Sequence, residues 1–256
     1  MACRKCYISN LFHKPFFHLI NLFKFERELG FRPLLHGPTY QDILRQDDAN
    51  GEALLAKYRS NIPGSDPTIS KTEHFTASGI RLKVYVPPNV KVNSPLVYYI
   101  HGGGFVIGSA DEDDRFVERH STDTGYIFVS VDYRLAPQHK YPASLNDCVE
   151  GAKWCVENAE SLGANHARGI VIMGKSAGGC LAFATALTLI DEGRGSDVLG
   201  IVPCQPLTMH PDAVPGGFRD RYTAYDENAE RTVNTKKCMY AIFGESQSLL
   251  AMNGGA

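Results

Sequence analysis

Between residues 69 and 202 the apolar positions gather into short runs of strand length, and longer stretches between them repeat apolar residues at helical spacing. Ile69 to Phe75 and Ile80 to Val86 read as an antiparallel pair turning near Ser78-Gly79. Leu96 to Ile100, Ile127 to Val131, Ile170 to Met173 and Leu199 to Val202 are nearly uninterrupted apolar runs, the pattern of strands covered on both faces. Ser144 to Ser161 and the run from Leu181 to Leu187 carry helix-forming residues between them, and Lys236 to Phe243 adds a later helix. Strands alternating with helices predict right-handed crossovers and a mostly parallel sheet whose ligands sit at the carboxyl ends of the strands. His101, Asp132 and Ser176 all fall at such ends.

Ser176 is the strongest candidate for a reactive group. It lies in Gly174-Lys175-Ser176-Ala177-Gly178, directly after one apolar run and directly before a helical one, the strand, sharp turn and helix of a nucleophile elbow. Gly174 and Gly178 suit a turn so crowded that only minimal side chains let the hydroxyl stand clear. A five-residue pattern recurs by chance, so a second segment matters: His101-Gly102-Gly103-Gly104-Phe105 follows the Leu96 to Ile100 run. Successive glycines there can turn backbone N–H groups toward a developing oxyanion.

A third segment, Asp132-Tyr133-Arg134-Leu135-Ala136-Pro137, follows the run ending at Val131. With these three motifs in this order the chain resembles the hormone-sensitive-lipase-like branch of the α/β-hydrolases, from about residue 70 to about residue 210. The resemblance implies an α/β-hydrolase fold, mostly parallel with flanking helices and a helical lid. It divides the chain into N-terminal lid helices (1–60), the hydrolase core (61–210) and a lid segment with an atypical tail (211–256). It also implies a serine hydrolase acting on carboxylic esters of small or medium acyl substrates, in a biosynthetic pathway or elsewhere. Ser176 would attack the carbonyl, and the N–H groups of Gly103, Gly104 and Ala177 would bind the oxyanion. His101, Gly102, Gly174, Gly178 and Asp132 would support them. No metal or organic cofactor is implied.

Two departures stand out. Lys175 occupies the place where the family has Asp or Glu, and the geometry of an elbow predicts a solvated side chain pointing away from the serine. The family then places an acid and a histidine after the serine, in that order, whereas His210 is the single histidine after Ser176. The chain thus reads as truncated, with the last two strands missing and His210 near the pocket rim or on a loop, away from Ser176. The alternative is a catalytically impaired or non-catalytic ligand-binding member of the family, as the plant gibberellin receptors are. Loss of the last strands would also leave Leu199 to Val202 as an open edge prone to self-association.

Composition narrows the partners. A net charge of −2 gives no electrostatic footprint for nucleic acid, and 43% hydrophobic residues in 256 suffice for one large core and point to a small apolar ester as ligand. Seven scattered cysteines predict free thiols, a reducing compartment and a cytoplasmic location. Cys148 and Cys155 read as small apolar core residues, while Cys3 and Cys6 form a lone pair without the partners a metal site needs. Near the N-terminus Leu11, Phe12, Phe16, Phe17, Phe23 and Phe25 are interrupted by polar residues. That pattern is too broken for a membrane span or a signal peptide, and it suits lid packing or peripheral contact with a lipid surface.

Overall fold

The computed structural model describes residues 39–58, 64–227, 229 and 236–246. Six strands form one sheet: β1 (Ser70–Phe75), β2 (Arg81–Val86), β3 (Leu96–Ile100), β4 (Phe128–Asp132), β5 (Ile170–Lys175) and β6 (Val198–Cys204), in the order β1-β2-β4-β3-β5-β6. β1 pairs antiparallel with β2, and β2 with β4, while β3 pairs parallel with β4 and β5, and β5 with β6. Helices α1 (Tyr40–Tyr58), α2 (Asp114–Thr124), α3 (Ala143–Leu162), α4 (Ala177–Asp191), α5 (Ala224–Glu227) and α6 (Lys236–Ser246) complete the described elements, with short 3-10 turns between them. The expected hairpin and the four expected parallel strands are all present.

β3 lies at the centre, and every residue in it is buried. The alternation of a strand then builds two cores at once. Leu96, Tyr98 and Ile100 join Val129, Val131, Ile170 and Ile172 on the face covered by α3 and α4. Val97 and Tyr99 join Tyr85, Phe128 and Met173 on the face covered by α2 through Val117. Cys148 and Cys155 are fully buried in the first core, as their helical spacing implies. Close approach of α3 to the sheet depends on Gly151, where a Cβ would stand 2.5 Å from the Tyr98 hydroxyl. That hydroxyl donates to the Cys148 carbonyl at 3.0 Å, so the tyrosine is buried with its polar end satisfied.

Ahead of the sheet, α1 packs Ile43 into the core, and the Tyr40 hydroxyl donates to the Val106 carbonyl at 3.2 Å. α6 approaches from the other end of the chain and sets Ile242 against Gly104. These contacts bring both flanking segments onto the loop that follows β3. Of the aromatic N-terminal stretch nothing falls within the described residues, nor do Cys3 and Cys6; residues 244–246 of the atypical tail finish α6. Among the described residues no helix is long and apolar enough to cross a membrane.

Candidate active site

The turn between β5 and α4 holds Ser176 at φ 54° and ψ −117°, a conformation that L-residues adopt only when their surroundings impose it. Those surroundings are visible. The Ser176 N–H donates to the Cys204 carbonyl of β6 at 2.8 Å, and the Ser176 carbonyl accepts from the Gly179 and Cys180 N–H groups at 2.9 and 3.2 Å. The flanking glycines are required by space: a Cβ at Gly174 would lie 2.1 Å from the Gly178 carbonyl oxygen, and one at Gly178 would lie 2.1 Å from the Ile100 oxygen.

The glycine run after β3 comes to the same place. A Cβ at Gly102 would sit 3.4 Å from Ser176 Cβ, so this loop passes the serine with no more than the space of one side-chain atom between them. Gly103 has φ +110°, and its carbonyl accepts from the Val106 and Ile107 N–H groups at 3.1 and 3.0 Å, which closes the loop. The N–H groups of Gly103, Gly104 and Ala177 donate to no described backbone carbonyl; that of Ala177 is an orphan of the first helical turn.

His101 braces this loop from below. Its ring is buried and stacked on Tyr133 with centroids 4.1 Å apart, and Nδ1 lies 2.7 Å from the Gly102 carbonyl, which can only accept. Nδ1 therefore carries the proton, and burial holds the imidazole below the usual histidine range, as a neutral ring. The Tyr133 hydroxyl donates to the His101 and Gly102 carbonyls at 3.1 and 3.3 Å. Asp132 accepts from the Ala110 N–H and from Arg81 Nε, both at 3.1 Å, fastening the far end of the loop to β2.

Two side chains differ from their expected surroundings. Lys175 is not simply solvated: Nζ reaches Asp113 Oδ1 at 2.6 Å and lies 5.7 Å from the centre of the Phe116 ring, while the Tyr99 hydroxyl donates to the other Asp113 oxygen at 2.7 Å. His210, expected near the pocket rim or on a loop, lies on a loop and is buried there. Its Nδ1 accepts the Asp212 N–H at 3.1 Å, and its ring packs edge-on against Tyr240 and Phe243. No described residue hydrogen-bonds to Ser176 Oγ, so His210 and the elbow are not brought together.

Ser176, Gly102 and Gly103 line one cavity of about 150 Å³, the room of about five waters. Its other walls bring Asp47, Ser109, Glu112, Asp113, Lys175 and Ile107, and present polar and apolar surface in about equal parts. Sequence reasoning pointed to an apolar ligand and did not find Asp47 or Glu112.

A strained serine at a strand-to-helix turn, backed by a glycine loop with free amides, is a hydrolase arrangement, and the comparisons agree. The family model described as alpha/beta hydrolase fold matches residues 97–246. The chain belongs to the hormone-sensitive-lipase-like branch of the α/β-hydrolases. It is 40% identical over 220 residues to the versiconal hemiacetal acetate esterase of Aspergillus parasiticus, covering 86% of this chain and 67% of that protein. A carboxylesterase of Mycobacterium tuberculosis is 37% identical over 154 residues, covering 60% of this chain and 45% of its own length. Among solved structures, an esterase of Pyrobaculum calidifontis superimposes with a TM-score of 0.67 at 30% identity, over 90% of this chain and 71% of that one. The hydrolase thus spans between about half and two thirds of these curated relatives.

Proposed function

We propose that the chain serves the hydrolysis of carboxylic esters with a small acyl group. The observation that carries this reading is the close approach of the glycine loop to Ser176, with Gly102, Gly103 and Ser176 lining one small cavity. In this mechanism Ser176 Oγ attacks the ester carbonyl, the N–H groups of Gly103, Gly104 and Ala177 receive the oxyanion, and the alcohol leaves from an acyl-enzyme that water then cleaves. A cavity of about 150 Å³ favours acyl groups nearer acetate than a fatty acid. The esterase names among the relatives, one of them for an acetate ester, support the same class.

Serine needs a base held by a third group, and none reaches Ser176 among the described residues. That observation favours a second reading, ligand binding without turnover. A fluorophosphonate probe and p-nitrophenyl acetate separate the two. With no base among the described residues, hydrolysis is expected to be slower than that of a relative with a full triad by a factor on the order of 10³ or more, and the remainder should vanish in Ser176→Ala. Labelling that is unchanged in Ser176→Ala would overturn the assignment of the nucleophile, and a rate within tenfold of a complete relative would reveal a base not yet identified.

A further inference from the structure

Lys175, the residue in which the elbow departs from the family pattern, takes a defined course away from the serine. It leaves the end of β5, and its Cε lies 3.4 Å from where a Cβ on Gly102 would stand, so the end of the lysine stem covers that side of the glycine. Beyond this point Nζ meets Asp113 Oδ1 at 2.6 Å, in the turn before α2. The other Asp113 oxygen accepts from the Tyr99 hydroxyl at 2.7 Å, and Tyr99 is a fully buried residue of β3, two positions before the glycine loop begins at His101. β3 and β5 are themselves paired, with Tyr99 opposite Met173. The contacts therefore form a closed circuit: from the elbow over Gly102 to Asp113, through Tyr99 into β3, and across the sheet back to β5. Phe116 lies inside it, its ring centre 5.7 Å from Lys175 Nζ and 5.4 Å from that of Tyr99.

We propose that Lys175 is a positioning residue: its stem holds Gly102, and with it the amides of Gly103 and Gly104, against the elbow, and its ion pair with Asp113 keeps the stem there. This rests on the reading of those amides as oxyanion donors beside Ser176. Other parts of the loop are fastened by other means. The Tyr133 hydroxyl donates to the His101 and Gly102 carbonyls, and Ile242 of α6 packs on Gly104. On the remaining side of Gly102, the side-chain atoms a Cβ would meet within 4 Å are Lys175 Cε and Ser176 Cβ. A lysine gives up much rotamer freedom when it is fixed in one course, so it covers a glycine only if its head is anchored. Asp113 is a good anchor, because its side chain is 14% exposed against 39% for Lys175, and Tyr99 fixes its orientation. Without the pair the stem is free to turn to solvent, Gly102 gains room to move off the elbow, and amides that point away from the developing charge stabilise it less.

The test is a double-mutant cycle of Lys175→Met, Asp113→Asn and the two together. Methionine keeps the stem without its charge, and asparagine keeps an acceptor for Tyr99. Titration with methylboronate, a tetrahedral analogue, should be weaker by about three- to tenfold in each single variant, the scale of a half-buried ion pair, and no weaker in the double variant than in the worse single one. Amide exchange reads the loop without a ligand. The N–H groups of Val106 and Ile107, which donate to the Gly103 carbonyl, should exchange about three- to tenfold faster in the same coupled pattern, measured against the Val97 N–H, which donates to the Ile127 carbonyl. That ratio cancels a general loss of stability. Lys153→Met breaks the Lys153–Glu192 pair, at 2.7 Å and outside the cavity lining, and should change neither readout. Should the double variant not fold, Lys175→Arg, which keeps a cation facing Asp113, is expected to restore the native exchange ratio. If the native chain does not bind the boronate, or Ser176→Ala binds it equally well, while exchange follows the coupled pattern, the reading of Ser176 fails and the positioning of the loop stands. Unchanged exchange ratios, an unchanged boronate affinity in a chain that binds it through Ser176, single effects that simply add, or no rescue by arginine would overturn the inference.

Discussion

Replacing Gly103 by alanine should damage folding and oxyanion binding together, and the structure sets the scale. A Cβ built on Gly103 would stand 1.9 Å from the Ile107 carbonyl oxygen and 2.6 Å from its carbon. Both are backbone atoms, so no side chain can rotate out of the way. The loop must shift by more than an ångström, and it is held by two N–H groups, of Val106 and Ile107, that donate to the Gly103 carbonyl. Losing those bonds costs on the order of 1 kcal/mol each, and an L-residue at φ +110° adds roughly 1–3 kcal/mol of strain. A total on the order of 3–5 kcal/mol corresponds to a fall of about 6–20 °C in Tm for a chain of this size. Because the same movement re-aims the amides facing Ser176, binding of a methylboronate as a tetrahedral analogue should weaken by a factor of about 10² to 10³. Gly216→Ala is the control, since a Cβ there meets nothing within 4 Å. Thermal unfolding and boronate titration on both variants read the two effects separately. A Gly103→Ala protein with Tm within about 2 °C of the native chain and unchanged boronate affinity would refute the reasoning and leave the glycine run as a pliant turn.

Two further outcomes follow from charge and from the sheet edge. Glu118 is buried, and although burial alone would raise its pKa, hydrogen bonds from Lys71, Arg115, the Asp66 N–H and Ser65 bring it down to about 2 from the ordinary glutamate value of 4.5; its stabilisation is present above pH 4.5, fades as pH falls toward 2, and Glu118→Gln should flatten that part of a urea-midpoint against pH curve, with an unchanged curve counting against the cluster. β6 forms the outer edge of the described sheet with Leu199 and Val202 48% and 42% exposed, next to Leu187 and Ile190 of α4 at 60% and 53%; a second copy of the chain is expected to cover this patch, giving a light-scattering mass above 28.2 kDa that rises with concentration and drops in Val202→Lys, whereas a constant monomer mass would exclude it.

Continuous apolar runs made β3, β4 and β5 legible because a strand covered on both faces leaves no room for polar alternation. β4 is displaced by one residue from its apolar run, since Asp132 pairs with Arg81 of β2 and so belongs to the ladder despite its charge. β6 extends past its apolar centre to Cys204 for another reason. Its last carbonyl accepts from the Ser176 N–H, a tertiary demand that overrides the presence of Pro203. The elbow and the glycine loop were legible as motifs because their constraints are local: a crowded turn admits few residues besides glycine. The burial of His210 on its loop was not legible because its aromatic cover, Tyr240 and Phe243, lies on α6, and no local pattern links the two segments.

The polar character of the cavity was hidden in a run that looks uniform, Asp111-Glu112-Asp113-Asp114. Four consecutive acids resemble a solvated turn, yet the chain bends there into the start of α2 and sends each carboxyl in its own direction. Asp111 reaches Arg81 and Lys83, which hold its carboxyl down to about 2. Asp114 takes Lys83 at 2.7 Å and the Tyr85 hydroxyl at 2.6 Å. Asp113 takes Lys175, and Glu112 is left facing the cavity with Asp47. The lysine beside the serine, which the elbow geometry predicts to be a solvated neighbour, meets an anion instead. Asp113 is that anion. That ion pair lies on the lining of the cavity that also holds Ser176. In the proposed mechanism, with Lys175 already held by Asp113, the stabilisation of transition-state charge falls to the N–H groups of Gly103, Gly104 and Ala177.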